Sequence, residues 1–284
     1  MTPDPLELFA GTLLIVAPHM DDEVLACGGL VALLPQKQHI HVVYATDGMR
    51  SPAPIVPGRD AISPKLGRER MDESRAAMKH LGVPAENLCF LGLREAELPD
   101  QHRELRSGLL SAVQTLNPDV VLIPFRYDRH PDHLAINQAV LQMRREGLLG
   151  GRLVEYFVYY RSRLLPKRDI RKYIKAQHLV QVDIRAVSEQ KRRALDRFTS
   201  QTTIYYPWQT RPILRPELLD EESRNPEMFL LADPAHQGAA VFSGPTWWIR
   251  LAHRLEPRLQ KAKYVFGAFM KRSLQGLDRN AGKA

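Results

Sequence analysis

Hydrophobic and polar positions alternate along the first half of the chain in a way that predicts strands followed by helices. Short apolar runs of strand length occur at Thr12–Ala17, Ile40–Ala45, Leu88–Leu91 and Val120–Ile123. Segments with helical periodicity follow them at Glu23–Leu34, Lys65–Leu81, Arg103–Leu116 and His133–Arg145. This order is typical of a mostly parallel sheet with helices on both faces. The predicted fold class is therefore α/β, a Rossmann-like doubly wound sheet.

Fewer elements are predicted in the second half. Two strands and a helix are indicated at Val154–Tyr159, Leu179–Asp183 and Val187–Phe198. Prolines recur from Pro207 to Pro234, which predicts irregular chain there. We expect one catalytic domain over residues 1–235 and a basic, helical C-terminal extension over residues 236–284.

Two short clusters of acidic residues and histidines directly follow predicted strands. His19-Met20-Asp21-Asp22-Glu23 follows the first strand, and His130-Pro131-Asp132-His133 follows the fourth. In a doubly wound sheet of order 3-2-1-4-5, the loops leaving strands 1 and 4 open onto one crevice, where such folds bind ligands. We therefore expect the two clusters to form one site. The first loop lacks Gly-x-Gly-x-x-Gly, which argues against a dinucleotide site.

The residue types in these clusters are those of a metal site. Zinc accepts histidine and carboxylate ligands, and three protein ligands leave a coordination position open for water. Carboxylates such as Asp21 and Asp22 at a helix start are also common as caps of free amide groups, but the coincidence of both clusters at one crevice outweighs that explanation. Asp21 and Asp132 stand where a metal hydrolase needs a base and an orienting group. We interpret the clusters as a metal-dependent hydrolase site.

The net charge of +8 is concentrated near the C-terminus. Residues 246–284 contain nine Lys or Arg against two acidic residues, whereas the other 245 residues hold 31 basic and 30 acidic side chains. Nucleic-acid binding would need basic residues spread over a docking face. A body near neutrality therefore does not favour a nucleic-acid partner.

Two further features bear on the compartment. The run Leu13–Ala17 is too short for a signal-peptide core or a membrane span, and no basic region precedes it, so we expect a cytoplasmic protein. Cys27 and Cys89 each lie in an apolar stretch, which predicts buried reduced thiols rather than a disulfide.

The chain resembles a known family, the LmbE/PIG-L-like N-acetylglucosaminyl deacetylases. Pro18-His19-Met20-Asp21-Asp22-Glu23 is similar to the family's Pro-His-Pro-Asp-Asp-Glu block, with Met20 in place of the usual proline, and His130–His133 matches its His-Pro-Asp-His block. Glu95 stands in a neighbourhood where the family often has aspartate. The resemblance extends from about Leu13 to Leu230 through Thr46-Asp47-Gly48, Arg70-x-x-Glu73 with Leu81-Gly82, Lys191-x-x-Ala194-Leu195 with Ser200-Gln201, and Glu227-x-Phe229.

The resemblance implies roles for three residues of the first cluster and for one of the second. His19, Asp22 and His133 would be the ligands of one zinc ion per chain. Asp21 would be the general base. The implied substrate is an N-acetylated amino sugar of the N-acetylglucosamine type, or its conjugate, including lipid-linked sugars. The products would be acetate and a free amine.

Three more residues receive roles from the resemblance. His130 would stabilise the oxyanion or protonate the departing amine, with Asp132 holding its ring. Arg70 matches a substrate-contacting arginine of the family. The alternative for Arg70 is a solvated helix arginine paired with Glu73.

Two other functions stay open. A metal-dependent hydrolase of another amide or ester would keep the metal and change the bond, although two-metal phosphoesterases usually use more ligands than this sequence offers. A metal-stabilised glycan-binding protein without catalysis would not need Asp21 or His130. The particular sugar and the oligomeric state are left open.

The C-terminal extension has its own pattern. Trp247, Trp248, Leu251 and Leu255 recur at helical spacing, and an apolar stripe surrounded by basic residues continues beyond Pro257. One interpretation is a helix pair packed on the body. The other is an interfacial helix formed by residues 246–284 at the inner membrane surface, where each basic residue gains on the order of 1 kcal/mol near anionic lipid. The second would suit a lipid-linked amino-sugar substrate.

Overall fold

The computed structural model describes residues 4–52, 62–207, 209–231, 241–243, 247–248, 251–252 and 255. The strands of this part are β1 (Leu13–Ala17), β2 (Ile40–Thr46), β3 (Leu88–Leu93), β4 (Val120–Pro124), β5 (Arg152–Tyr156), β6 (Leu179–Val182) and β7 (Glu227–Leu231). The helices are α1 (Asp22–Leu33), α2 (Pro64–His80), α3 (His102–Leu116), α4 (Pro131–Arg145), α5 (Ser188–Leu195), α6 (Thr199–Thr202) and α7 (Pro216–Arg224).

The strands form one mixed sheet in the order β3-β2-β1-β4-β5-β7-β6. The first five of these are mutually parallel, and β7 runs antiparallel to both β5 and β6. The predicted α/β class and the strand order 3-2-1-4-5 are confirmed. β1 lies at the switch point of this order, and all five of its residues are buried.

The side chains of β1 alternate between two hydrophobic cores, one on each face of the sheet. Leu13 and Ile15 belong to the core that includes residues of α1, α2 and α5. Leu14 and Val16 belong to the core that includes residues of α3 and α4. A strand buried on both faces reads as a continuous apolar run, and this explains why the first strand could be recognised in the sequence.

The prediction of irregular chain from Pro207 to Pro234 is wrong for α7 and β7. Pro216 occupies the first turn of α7, where its missing N–H group costs no helical hydrogen bond. The apolar run of β7 lies between Pro226 and Pro234, and such closely spaced prolines favour irregular chain. β7 nevertheless inserts between β5 and β6 and completes the sheet.

Smaller corrections concern element ends and one cysteine. The strand predicted at Val154–Tyr159 is β5, which starts and ends earlier, so Tyr159 lies in the loop that follows. The helix predicted at Val187–Phe198 ends at Leu195, and α6 follows it. Both thiols are free, but Cys89 is exposed, because β3 is an edge strand of the sheet.

Few residues of the predicted extension are described. Phe242 forms an isolated bridge with Ile174, which joins the start of the extension to the body. Trp247, Trp248, Leu251, Ala252 and Leu255 are helical. The predicted stripe beyond Leu255 lies outside the described residues. In the described part of the chain, no helix has the length and apolar character to cross a bilayer.

Candidate active site

The loops that carry the two acidic–histidine clusters leave neighbouring strands at the same edge of the sheet. β1 and β4 are parallel partners, so His19, after β1, and His130, after β4, face a common crevice. Thr46, at the end of β2, ties the first loop to this edge, since its amide and hydroxyl donate to the Pro18 carbonyl oxygen at 3.1 and 2.8 Å. The structure brings together the residues that the sequence analysis assigned to one site.

His19, Asp22 and His133 form a tight triangle of potential ligand atoms. Asp22 Oδ2 lies 3.1 Å from His19 Nδ1 and 3.2 Å from His133 Nε2, and the two nitrogens are 3.4 Å apart. In a tetrahedral site with zinc–ligand bonds of about 2.0–2.1 Å, neighbouring ligand atoms are roughly 3.3–3.4 Å apart. All three side chains are buried. The spacing is therefore one that a single small divalent ion can bridge.

His130 differs from the other two histidines. Ring nitrogens of His19, His130 and His133 all lie within 4.8 Å of one another, so the three rings are a second set that could hold a metal. His130 Nδ1, however, accepts the Asp132 amide N–H at 3.3 Å, which leaves Nε2 to carry the proton. Burial, together with the charges of His19 and His133, lowers the pKa of His130 to about 3. A neutral ring of this kind is a hydrogen-bond donor rather than an acid.

Asp132 is fully buried and is held by the loop that follows β3. Its carboxylate accepts hydrogen bonds from the amides of Ala96 and Leu98 at 2.7 and 3.1 Å. Its Oδ2 lies 3.0 Å from His19 Nε2 but 3.9 Å from His130 Nδ1. We expected this carboxylate to hold the ring of His130. In the structure it holds His19 instead, because His130 Nδ1 is already paired with the Asp132 amide.

Asp128 is a site residue that the sequence analysis missed. Its Oδ2 lies 3.2 Å from His133 Nδ1, and the amides of His130 and Tyr159 donate to its two oxygens at 2.9 and 3.2 Å. A carboxylate on the outer nitrogen of a ligand histidine fixes the tautomer and orientation of the ring. The only signal in the sequence was an acidic residue two positions before His130, and that spacing alone does not show which side chain it meets.

The carboxylates at the site hold both ligand histidines in the charged form. Burial by itself would lower the pKa of His19, but its bonds to Asp132 and Asp22 raise it to about 10. Burial likewise opposes the charge on His133, but Asp128 and Asp22 raise its pKa to about 9. Burial also opposes ionisation of Asp22, yet His133 and His19 hold its pKa well below its usual range.

These charges fit a divalent cation. Metal binding displaces protons from its ligands, and here the two imidazolium protons would be replaced by the two charges of one ion. The donor set of two imidazoles and one carboxylate is one that zinc commonly takes in catalytic sites. The buried carboxylates Asp128 and Asp132 contact the outer nitrogens of His133 and His19. The residues present therefore fit the metal that the sequence motifs imply.

Asp21 lies beside the ligand triangle on a constrained backbone. Its φ angle is 138°, a value that L-residues rarely adopt. Its amide donates to Glu23 Oε2 at 3.0 Å, and the Tyr44 hydroxyl donates to Glu23 Oε1 at 2.9 Å, which fixes this turn. Burial raises the pKa of Asp21 to about 7, with Arg70 opposing that shift and Asp22 adding to it. A fixed carboxylate that titrates near neutrality is suited to accept and return a proton.

Arg70 lies inside the site, with 1% of its surface exposed. Its Nη2 is 3.7 Å from Asp21 Oδ2, and its Nη1 donates to Glu95 Oε1 at 3.2 Å. The structure does not show a solvated arginine paired with Glu73, since Glu73 accepts hydrogen bonds from Ser200 instead. Arg70 therefore connects Asp21 with Glu95 beneath the crevice.

Tyr159 forms part of the rim of the site. Its ring is stacked with His130 at a centroid distance of 6.0 Å and an interplanar angle of 23°, and it lies 5.3 Å from the ring of His133. The residue is 40% exposed. The site thus combines a buried floor of charged groups with an aromatic surface at its mouth.

Residues 14–144 match a family model described as "PIG-L: GlcNAc-PI de-N-acetylase". A probable N-acetyl-alpha-D-glucosaminyl L-malate deacetylase 2 of Bacillus cereus is 28% identical over 137 residues, covering 46% of this chain and 59% of that protein. The Escherichia coli protein YaiS, described as an uncharacterized deacetylase, is 32% identical over 133 residues, covering 45% of this chain and 64% of YaiS. The matched region spans less than two thirds of either relative.

Solved structures of similar fold include three proteins. A conserved protein of Thermus thermophilus is 25% identical, with a TM-score of 0.54 over 78% of this chain and 95% of that chain. An N,N'-diacetylchitobiose deacetylase from Pyrococcus horikoshii is 19% identical, with a TM-score of 0.58 over 86% and 91%. A teicoplanin deacetylase, solved in a zinc-inhibited form, is 20% identical, with a TM-score of 0.54 over 77% and 96%. The last two likenesses show a shared fold.

Proposed function

We propose that this protein is a zinc-dependent deacetylase, because residues 14–144 match the PIG-L family model. It hydrolyses the acetamide of an N-acetylated amino sugar of the N-acetylglucosamine type, or of its conjugate. The observation that carries the proposal is the triangle of His19, Asp22 and His133 with Asp21 beside it. The names of the family and of the Bacillus cereus relative support the substrate class.

The proposed mechanism begins with the ligand set. His19, Asp22 and His133 would hold one zinc ion, which when bound supplies an activated water and a polarised acetamide carbonyl. Asp21 accepts the proton of the attacking water. It can do so because the buried Asp22 anchors the neighbouring backbone, and because Arg70 favours the ionised form of Asp21.

The remaining steps require an oxyanion partner and a proton on nitrogen. His130, neutral and protonated on Nε2, donates a hydrogen bond to the oxygen on which negative charge develops. An amide anion is a very poor leaving group, so the nitrogen must be protonated before the bond breaks. Asp21 returns the proton that it took from water. We assign this step to Asp21 rather than His130, because the low pKa of His130 leaves its ring neutral, without an acidic proton to give.

The substrate contacts follow from exposure. We expected Arg70 to contact the sugar, but with 1% of its surface exposed it acts chiefly on Asp21 and Glu95. Tyr159 presents an exposed ring beside His130 and offers a flat apolar surface to one face of a sugar ring. Asp132 positions His19, and through its amide it positions His130 as well.

The two alternative functions make different demands on the site. A two-metal phosphoesterase needs a second set of ligands, and among the described residues the potential metal-holding group is the histidine cluster of this one crevice. A glycan-binding protein without catalysis has no use for a proton acceptor held at φ 138° beside the ligands. A two-metal phosphoesterase and a non-catalytic binding protein are therefore less well supported, and the names of the family and of the Bacillus cereus relative favour an N-acetylated sugar over another amide or ester.

The experiment compares wild type with Asp21→Asn on a panel of N-acetylhexosamines and their conjugates. Asparagine keeps the shape of the side chain but accepts no proton, so bound metal should stay while acetate release falls by about 10²–10⁴. Asp72→Asn, on the exposed face of α2, is the matched control and should keep the wild-type rate. Acetate release by Asp21→Asn at the wild-type rate would contradict the mechanism. No acetate release by the metal-loaded wild type from any member of the panel would contradict the function.

A further inference from the structure

The segment that follows Tyr159 is strongly basic. Residues 161–175 contain seven Lys or Arg and a single acidic residue, Asp169. Arg161 pairs with Glu221, and Arg171 pairs with Asp169. In the described part of the chain no carboxylate pairs with four further exposed basic side chains, those of Lys167, Arg168, Lys172 and Lys175. This is a concentration of uncompensated positive charge, because the rest of residues 1–245 holds 24 Lys or Arg against 29 acidic residues.

An exposed apolar face lies close to this segment. We call it the Trp face, and it consists of Trp247, Trp248, Leu251 and Leu255, which are 64%, 41%, 39% and 38% exposed. All four residues are helical, and at about 100° per residue they fall within an arc of roughly 100°. Ala252 is 3% exposed and belongs to the same buried cluster as Ile170 and Ile174. The described part of the body therefore covers Ala252 and leaves the Trp face exposed.

Backbone hydrogen bonds join the basic segment to the chain that leads to the Trp face. The Lys175 amide donates to the Val241 carbonyl oxygen at 2.9 Å, and the Ser243 amide donates to the Tyr173 carbonyl oxygen at 2.8 Å. At its other end the basic segment begins two residues after Tyr159, which lies at the rim of the catalytic crevice. The basic segment is thus joined to the chain of the Trp face by hydrogen bonds, and it directly follows the rim of the site.

We propose that residues 161–175 and the Trp face together form a docking surface for an anionic phospholipid bilayer. Basic side chains are attracted to anionic headgroups, and tryptophan favours the boundary between headgroups and acyl chains. A nucleic acid would satisfy the charges but leave the two tryptophans and two leucines in water. The basic segment and the exposed Trp face together favour a bilayer as the partner. Docking there places the catalytic crevice next to the headgroups, where a lipid-linked amino sugar would be presented.

The test is co-sedimentation of the full-length, metal-loaded protein with vesicles of phosphatidylcholine, alone or mixed with phosphatidylglycerol. We expect binding to the mixed vesicles at low salt, and weaker binding at high salt or without phosphatidylglycerol. Lys172→Glu with Lys175→Glu should weaken binding at least about tenfold, because two attractive charges become repulsive. Trp247→Ser with Trp248→Ser should weaken it by a similar factor.

The matched control is Lys79→Glu with Arg103→Glu, which changes the net charge equally at exposed positions on α2 and α3. It should bind the mixed vesicles nearly as the wild type does. Equal loss of binding in this control and in the Lys172 and Lys175 variant would overturn the proposal, as would no binding by the wild type. If the Trp variant instead lowers the oligomer mass in light scattering while vesicles stay unbound, the face is an interface between copies and the proposal fails. Vesicle binding needs no substrate, so its failure leaves the deacetylase proposal standing.

Discussion

Two groups of buried charged residues contact the same helix, α1, and they are built on different principles. At the start of α1, the catalytic cluster combines three carboxylates with two histidines, namely Asp22, Asp128, Asp132, His19 and His133. Beside the middle of α1, Lys191 and Glu227 form one ion pair, with Nζ and Oε1 2.7 Å apart. The catalytic cluster has an excess of negative groups, whereas the pair is balanced.

The balanced pair is satisfied by the backbone of α1. Glu227 accepts hydrogen bonds from the amides of Gly29 and Leu30, both at 2.7 Å, and Lys191 Nζ donates to the Leu25 carbonyl oxygen at 2.8 Å. Glycine is required here, since a Cβ at Gly29 would clash with Ile184 Cγ2 and would lie 3.0 Å from Glu227 Oε1. With its hydrogen bonds made inside the protein, the pair needs no ligand.

The catalytic cluster comes near balance only with added positive charge, since its three carboxylates outweigh by one the two charges that its histidines or one divalent ion can supply. Its histidines supply that charge as protons in the metal-free protein, which is why the pKa values of His19 and His133 rise to about 10 and about 9. The excess of negative charge is typical of a ligand site, whereas the balanced Lys191–Glu227 pair has a structural role. Substitutions in the first should change metal content and rate, and substitutions in the second should change stability.

The largest effect is expected for Asp22→Ala. Because Asp22 Oδ2 contacts both ligand histidines, its loss removes one of three ligands and the charge that holds the others. Bound metal should fall from about one ion per chain to nearly none, and acetate release should be lost with it. Elemental analysis of the purified protein checks this. Full metal occupancy in Asp22→Ala would show that the three histidines, rather than the predicted set, hold the ion.

The reverse outcome is expected for Lys191→Met. The substitution leaves Glu227 buried without its cation, which should lower the free energy of unfolding by about 3–5 kcal/mol. The fraction that stays folded should keep its metal. Urea unfolding measures the loss, and Lys191→Met combined with Glu227→Gln should recover part of it, because no unpaired charge is left. A loss of metal from folded Lys191→Met would break the distinction between the two groups.

The sequence predicts the catalytic cluster better than the Lys191–Glu227 pair, for a physical reason. Four residues of the cluster follow strands that are buried on both faces, namely His19, Asp22, His130 and His133. The apolar runs of β1 and β4 therefore locate them at one edge of the sheet. No comparable apolar run locates Lys191 and Glu227. Their meeting depends on how α5 and β7 pack on α1, which no local pattern encodes.

The same reasoning explains the misses within the site. The roles of Asp128 and Asp132 depend on which histidine nitrogen each carboxylate meets, and that is set by loop conformation after β3 and β4. Periodicity places a residue on a strand or a helix, but it does not orient a side chain in a loop. The sequence correctly predicts that Arg70 lies on a helix. It does not show that Arg70 is buried, because its partner Glu95 belongs to the loop after β3.

Asp128→Asn sharpens the comparison by changing a carboxylate that is not itself in the ligand triangle. Asparagine keeps the size of the side chain but weakens the hold on His133 Nδ1, so metal affinity should fall about 10–100-fold. Competition with a chelator gives the dissociation constant directly. Asp196→Asn, at a half-exposed carboxylate paired with Arg192, serves as the control and should not change affinity. Unchanged affinity in Asp128→Asn would mean that His133 needs no carboxylate partner.

The smallest effect concerns the pH dependence of Asp21. Its pKa is raised above the ordinary value, so the carboxylate loses its charge as pH falls through about 7, and kcat/KM should fall on that acidic side. Bound metal lowers this midpoint in wild type and variants alike, so the informative quantity is the shift between them. Arg70 favours ionised Asp21, and Arg70→Met should therefore move the acidic limb to higher pH, by up to about one unit, or about tenfold in rate below the limb.

Arg70→Lys separates charge from shape at the same position. It keeps a cation near Asp21 and should leave the limb close to that of the wild type, even if the maximal rate falls because lysine cannot also bridge Glu95 as the guanidinium does. The position of the limb is read from the profile and does not depend on the maximal rate, so partial misfolding does not imitate the effect. Coincident limbs in wild type and Arg70→Met would show that Arg70 does not tune the base. Its burial would then be structural, like that of Lys191.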